Sequence, residues 1–143
     1  MTVTVAMPYW GCPDLVGRAV RSVLAQTYRD IHLVVIGDGE EPPLAGIADS
    51  RLDVFTLPVN RGPYFALQVA LLGAGHRWFA PFGADDYAEP DHLERLVAAY
   101  RATGNDCVIT GAVFNNDGAV HRGPYEVGFF RRRRLLALGG YNP

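Results

Sequence analysis

Lysine is absent from the 143 residues, and all thirteen basic side chains are arginine. With Ala and Gly abundant, that bias fits the coding of a GC-rich genome better than a binding signal. The net charge of −2 gives no reason to expect nucleic acid or an anionic membrane as the main partner. No apolar run approaches the ~20 residues of a membrane span, and residues 1–5 lack the positive start of a secretory signal. No transmembrane segment and a cytoplasmic location are therefore expected. Cysteine is scarce: Cys12 and Cys107 lie far apart without metal-ligand spacing, which fits a reduced protein. There is no Gly-x-Gly-x-x-Gly after the first strand and no Gly-Lys-Ser/Thr, so dinucleotide and P-loop chemistry are disfavoured. No Ser sits on a Gly-x-Ser-x-Gly elbow. His32, His76, His92 and His121 show no metal-binding spacing and pair with no cysteine; they read as structural or solvated.

What is present is core material: 49% of residues are apolar and 20% charged, which excludes a disordered tail, a collagen-like fibre or a coiled coil. Short β-branched runs alternate with amphipathic stretches. Residues 2–8, 31–36, 52–57, 77–82 and 106–114 read as strands. The run 31–36 is almost continuously apolar, as suits a strand covered on both faces. Helices are predicted over 15–26 with Asp14 as N-cap, over 64–73, over 92–103 behind Pro90 and Asp91, and over 130–138 closed by Gly139-Gly140. Residues 115–125 are turn-rich. There are no repeats and no linker, so residues 1–143 read as one domain. The alternation implies a mostly parallel sheet with helices on its faces.

Ligands of open parallel sheets bind beyond the carboxyl ends of the strands. Pro8-Tyr9-Trp10 follows the first strand, Asp38 the second, Asn60-Arg61-Gly62 the third and Asp85-Asp86 the fourth. Parallel strands would gather all of them on one rim. Adjacent carboxylates repel, and two hard oxygen donors on a loop suit Mg²⁺ or Mn²⁺ completed by phosphate oxygens. The plainer alternative has one of them capping the next helix and the other solvated. Asp38, between two glycines, serves equally well as a turn residue. Trp10 reads either as an ordinary core or surface aromatic or, given Gly11 and its loop position, as a stacking face for a ring-shaped ligand. The arginine run 131–134 reads as a solvated helix face rather than a nucleic-acid site.

Three stretches taken together resemble the N-terminal half of a family 2 glycosyltransferase: Met7-Pro8-Tyr9-Trp10, the segment from Arg18 through Ser22-Val23-Leu24-Ala25-Gln26-Thr27-Tyr28, and Val34-Val35-Ile36-Gly37-Asp38-Gly39. Asn60-Arg61-Gly62-Pro63 is similar to that family's Asn-x-Gly turn. Phe82-Gly83-Ala84-Asp85-Asp86 is similar to its Asp-x-Asp segment, and Phe129-Phe130-Arg131-Arg132 through Gly139-Gly140-Tyr141 to a later helix. The resemblance implies the GT-A fold, an α/β, Rossmann-like, mostly parallel sheet with helices on both faces. It implies a nucleotide set of Pro8, Tyr9, Trp10, Asp38, Gly62 and Asp85. In it Pro8 and Trp10 lie against the base and Asp38 accepts a hydrogen bond from it, as a carboxylate can from uracil N3–H. It implies Mn²⁺ or Mg²⁺ on Asp85, with Asp86 as the second carboxylate, stabilising charge on the departing nucleoside diphosphate.

This chain departs from the family pattern at several positions. Gly37 stands for the first Asp of Asp-Asp-Gly-Ser, and Glu40 for its Ser. Gly83 stands for the first Asp of Asp-x-Asp, so either a ribose or metal contact is missing or Asp86 substitutes for it. Gly11 stands for an Asn, and Leu67-Gln68 for Arg-Asn. The family's acidic base follows the Gly-Gly-Tyr turn, beyond Pro143, so no catalytic base is assigned. Asp117 and Glu126 read as a turn former and a surface charge. The expected activity is metal-dependent transfer of a sugar from a nucleotide-diphosphate donor, a UDP-sugar by preference, with inversion, to an unnamed acceptor. The alternative is a nucleotide-sugar-binding module without turnover. A nucleotidyltransferase would need a Gly-rich basic loop after the first strand, which Pro8-Tyr9-Trp10-Gly11 does not provide. Self-association to cover apolar surface is a further expectation.

Overall fold

The computed structural model describes residues 1–114 and 121–141, without the side chains of residues 110–127. Six strands form one sheet: β1 (Val3–Tyr9), β2 (Ile31–Asp38), β3 (Leu52–Leu57), β4 (Trp78–Pro81), β5 (Cys107–Phe114) and β6 (His121–Arg131), in the order β3-β2-β1-β4-β6-β5. β3, β2, β1 and β4 are mutually parallel, and β6 runs antiparallel to both β4 and β5. The expected mostly parallel sheet is therefore present.

The period-two alternation of the strands sorts side chains onto two faces. Val3, Val5, Met7 and Tyr9 of β1, Ile31, Leu33 and Val35 of β2, and Trp78 and Ala80 of β4 bury one way. Ala6, Ile36 and Phe79 bury the other. Helices α1 (Pro13–Leu24) and α3 (His92–Thr103) cover the first face through Val16, Ala19, Val20 and Val23 and through Leu93, Leu96 and Val97. Helix α2 (Pro63–Gly73) covers the second through Ala66, Leu67, Ala70 and Leu71, joined by Leu135 and Leu136 of α4 (Arg132–Ala137). At roughly 1.5–3 kcal/mol per fully buried large apolar side chain, these two layers dominate the favourable free energy of folding.

Several expectations change. Asp14 is not the N-cap of α1: Cys12 holds that position, Pro13 opens the helix and Asp14 lies in the first turn. Proline suits such a start, because its missing N–H is one the helix leaves unpaired anyway. The turn-rich reading of residues 115–125 fails in its second half, where β6 begins at His121. Gly123 and Pro124, turn formers by type, pair in β6 beside a register irregularity between Ile109 and Gly111, the kind of place where a strand tolerates proline. Phe130 and Arg131 belong to β6, so the last helix starts later than expected, at Arg132. Asp117 lies outside the described residues, and so does the side chain of Glu126.

Three of the four arginines of the run make contacts within the chain. Arg131 and Arg134 each bring Nε to Asp106, at 2.7 and 2.8 Å. Arg132 donates from Nε to Leu71 O at 2.8 Å and from Nη2 to Leu72 O at 3.0 Å. Those carbonyls end α2, so Arg132 satisfies acceptors the helix itself leaves free. Arg131, Arg132 and Arg134 fasten the last helix to Asp106 before β5 and to α2.

Candidate donor site at the carboxyl rim

The register pairs Tyr9 with Gly37, Gly37 with Thr56, Asp38 with Leu57, and Ala6 with Pro81. The carboxyl ends of the four parallel strands therefore share one edge, and their following loops meet there. From β1 the chain moves outward through β2 to β3, then returns to β4 on the other side of β1. The reversal lies between β1 and β4, where ligands of such sheets bind. The loop after β1 carries Trp10, which is 65% exposed. The loop after β4 carries Asp85 and Asp86.

Asp38 ends β2 and is only 2% exposed. Its Oδ1 accepts from Arg61 N–H and its Oδ2 from Gly62 N–H, both at 2.8 Å. Such charge-assisted bonds to main-chain donors are strong and short. Asp38 thus holds the turn between β3 and α2, and little of it is left open to a base. Gly62 takes φ +89°, which glycine tolerates best, and its N–H is already engaged by Asp38 and by Asn60 Oδ1. Above that turn the Arg61 guanidinium lies 4.0 Å over the Phe65 ring.

Glu40 ties the same corner to the first loop. It accepts from Tyr9 Oη at 3.3 Å and from Gly11 N–H at 3.0 Å. Tyr9, expected in the nucleotide set, turns its ring into the core at 1% exposure, so it is a wall of the site rather than a contact surface. Burial, and then the Glu40 charge, push its phenol above the ordinary value. Pro8 is half-buried beside it.

In the fourth loop, the position a Cβ on Gly83 would take is 2.5 Å from Asp86 Oδ2 and 2.9 Å from Asp85 Oδ1. The two carboxylates thus converge over a residue that has no side chain. Burial and then the Asp85 charge raise the Asp86 carboxyl above its ordinary range, while a backbone hydrogen bond at Gly83 pulls it down. A like-charged pair held this close fits a hard divalent cation completed by phosphate oxygens. Among the described residues no third His, Cys, Asp or Glu joins them. Arg18 of α1 donates from Nη2 to Asp85 O at 3.4 Å. Burial, then the Asp85 charge, raise the Cys12 thiol above its ordinary value.

The supports of this loop were missed as functional residues. Gln26 is fully buried; its Nε2 donates to Ser22 O at 3.1 Å and Glu89 O at 2.7 Å, and its Oε1 accepts from Leu93 N–H at 2.9 Å. Ser22 Oγ accepts from Ala88 N–H at 3.1 Å, and Thr27 N–H donates to Pro90 O at 2.8 Å. The segment after Asp86 is therefore stitched to α1 and its C-terminal end. A signal was available: Ser22 and Gln26, four apart, fall among the apolar positions Ala19, Val23 and Leu24, and buried polar groups require partners.

The sequence model of glycosyl transferase family 2 matches residues 4–141. The chain belongs to that family. Succinoglycan biosynthesis protein ExoO of Rhizobium meliloti is 33% identical over 106 residues, which are 71% of this chain and 30% of that protein. The glucosyl-dolichyl phosphate glucuronosyltransferase of Haloferax volcanii is 35% identical over 100 residues, 66% of this chain and 32% of that protein. Among solved structures, S. aureus TarS 1–349 in complex with UDP superposes with a TM-score of 0.78 at 18% identity, covering 100% of this chain and 50% of that one. Mannosyltransferase PcManGT from Pyrobaculum calidifontis, in complex with GDP-Man and Mn²⁺, gives a TM-score of 0.75 at 20% identity, covering 96% of this chain and 46% of that one. The fold is the expected GT-A fold. The family 2 chain described here spans about a third of those curated relatives and about half of the solved structures. Among its described residues no helix is long and apolar enough to cross a membrane.

Proposed function

We propose that this family 2 chain binds the donor of a metal-dependent sugar transfer, a nucleoside-diphosphate sugar with UDP as the preferred nucleotide. The observation behind the reading is that the loop bearing the exposed Trp10 and the loop bearing Asp85 and Asp86 leave adjacent parallel strands at one edge of the sheet, at the chain reversal between β1 and β4. The solved structures support it: TarS has been crystallised with UDP and with UDP-GlcNAc, and PcManGT has been solved in complex with GDP-Man and Mn²⁺.

In this reading Pro8 and Trp10 form the surface for the base, and the Arg61–Gly62 turn, held by Asp38, walls the nucleoside. Asp85 and Asp86 would hold Mn²⁺ or Mg²⁺, which would supply charge neutralisation on the leaving diphosphate. Gln26, Ser22 and Thr27 keep the acidic loop in place, so the carboxylates need little reorganisation at the moment of reaction. The sugar passes to an acceptor hydroxyl with inversion at the anomeric carbon. Cys12 and Cys107, both free, suit the reducing cytoplasm.

Calorimetry with UDP and Mn²⁺ on the wild type and on Asp85→Ala tests the assignment. UDP binding that strengthens with Mn²⁺ in the wild type and loses that dependence in the variant is the expected result. Equal, Mn²⁺-dependent binding by both proteins removes Asp85 from the role.

A further inference from the structure

We propose that Glu40 is the positioning residue for Trp10, and that its carboxylate fixes the loop after β1 as a rigid platform for the flat face of a nucleobase. The proposal rests on the nucleotide reading above for the identity of the ligand, but the clamp itself stands on contacts within the chain. Glu40 Oε1 accepts from the Tyr9 hydroxyl and Oε2 from Gly11 N–H. One carboxylate therefore grips the residues on either side of Trp10. Tyr9 is anchored in the core, so the grip transmits the rigidity of β1 to a side chain that is itself 65% exposed. An aromatic ring that is already ordered loses less conformational freedom when a ligand stacks on it.

The backbone at the end of β2 is shaped for this contact. A Cβ at Gly37 would collide with the Glu40 carbonyl oxygen and stand 2.9 Å from Thr56 Oγ1 and 3.0 Å from Pro42 Cδ. Gly39, at φ +82°, leaves no room for a side chain against the Asn60 main chain. Both glycines let the chain fold back tightly after Asp38, and the fold-back delivers Glu40 to the first loop. The glycine at 37 and the glutamate at 40, two separate departures from the family pattern, thus form one device. Asp38 and Glu40, two residues apart, divide the work: one holds the loop after β3, the other the loop after β1.

The test uses the two tryptophans as separate reporters. Trp78 is fully buried, and a Trp10→Phe variant gives its signal alone, leaving Trp10 emission by difference. Glu40→Ala is expected to lower Trp10 anisotropy, raise its quenching by acrylamide and weaken UDP binding ~10-fold, the loss of one to two hydrogen bonds to a charged group. Glu40→Gln rescues both readouts to within ~3-fold. Its amide oxygen can accept from Gly11 N–H and its NH₂ can donate to the Tyr9 oxygen, so the grip survives without the charge. Unchanged Trp10 anisotropy and quenching in Glu40→Ala overturn the clamp. So does a Glu40→Gln protein that behaves like Glu40→Ala. Failure of the wild type to bind UDP overturns the nucleotide reading alone, because the anisotropy comparison needs no ligand.

Discussion

Asp86 fills the space that a side chain on residue 83 would occupy: its Oδ2 lies 2.5 Å from the Cβ position of Gly83. The glycine is therefore not a lost ligand waiting to be restored. Gly83→Asp places a third carboxylate in a space two already share, adding overlap and like-charge repulsion. The overlap is with the ends of two side chains, so the like-charge repulsion is the larger part of the cost. The variant is expected to be less stable in urea and to bind Mn²⁺ more weakly than the wild type. Tighter Mn²⁺ binding at unchanged stability would show that the site was short of a ligand.

Asp38 carries a structural load that its place between two glycines does not reveal. Asp38→Asn keeps the size but leaves one oxygen and an NH₂ facing two N–H donors, one of which then loses its acceptor. The expected loss is about 2 kcal/mol of stability, with faster amide exchange at Arg61 and Gly62. Wild-type exchange at those two amides in the variant would count against the contact.

The elements that were legible are those whose burial pattern repeats over enough residues to dominate. β3 and α3 appear with the bounds expected, 52–57 and 92–103. In α3 the apolar positions Leu93, Leu96 and Val97 recur at helical spacing. β6 was hidden because local turn propensity says nothing of the pairing with β5 that makes residues 121–131 a strand. The rim was legible because parallel topology follows from the order of elements. The job of each rim residue was not. Spacing placed Tyr9 and Asp38 at the rim, but only packing sends the Tyr9 ring into the core and gives the Asp38 oxygens to main-chain amides. Glu40 stands in the sequence only as a departure from a serine, because its partners, Tyr9 and Gly11, are remote along the chain.

Gln26 links the segment after Asp86 to the core. Gln26→Leu keeps the volume and removes the partners of Glu89 O and Leu93 N–H. Buried groups stripped of partners cost about 1–3 kcal/mol each, so a loss of roughly 3 kcal/mol is expected. Hydrogen exchange should accelerate at Leu93 and Ala88, and Mn²⁺-dependent UDP binding should weaken, since the loop that bears Asp85 and Asp86 loses its anchor. A variant that unfolds more easily but binds UDP and Mn²⁺ like the wild type would confine Gln26 to the core.

The acid limb of stability has an identifiable contributor away from the site. Asp49 accepts from Arg51 N–H and Nε at Oδ1, both at 2.9 Å, and from Arg51 Nη2 at Oδ2, 2.7 Å. These bonds, the side-chain ones first, hold the Asp49 carboxyl at about 2, below its ordinary 3.8. A carboxyl lowered in the folded state binds protons less readily than in the unfolded chain, so the unfolded chain takes up more protons across that interval. The contribution is fully present above pH 3.8 and is lost as the pH falls through about 2. Arg51→Met should return the Asp49 titration, followed by the side-chain carboxyl ¹³C shift, toward 3.8. Urea midpoints of wild type and variant should then lie furthest apart above that pH and draw together below it. A wild-type Asp49 that titrates near 3.8 would show the Arg51 contacts to be too loose in solution to favour the charged form.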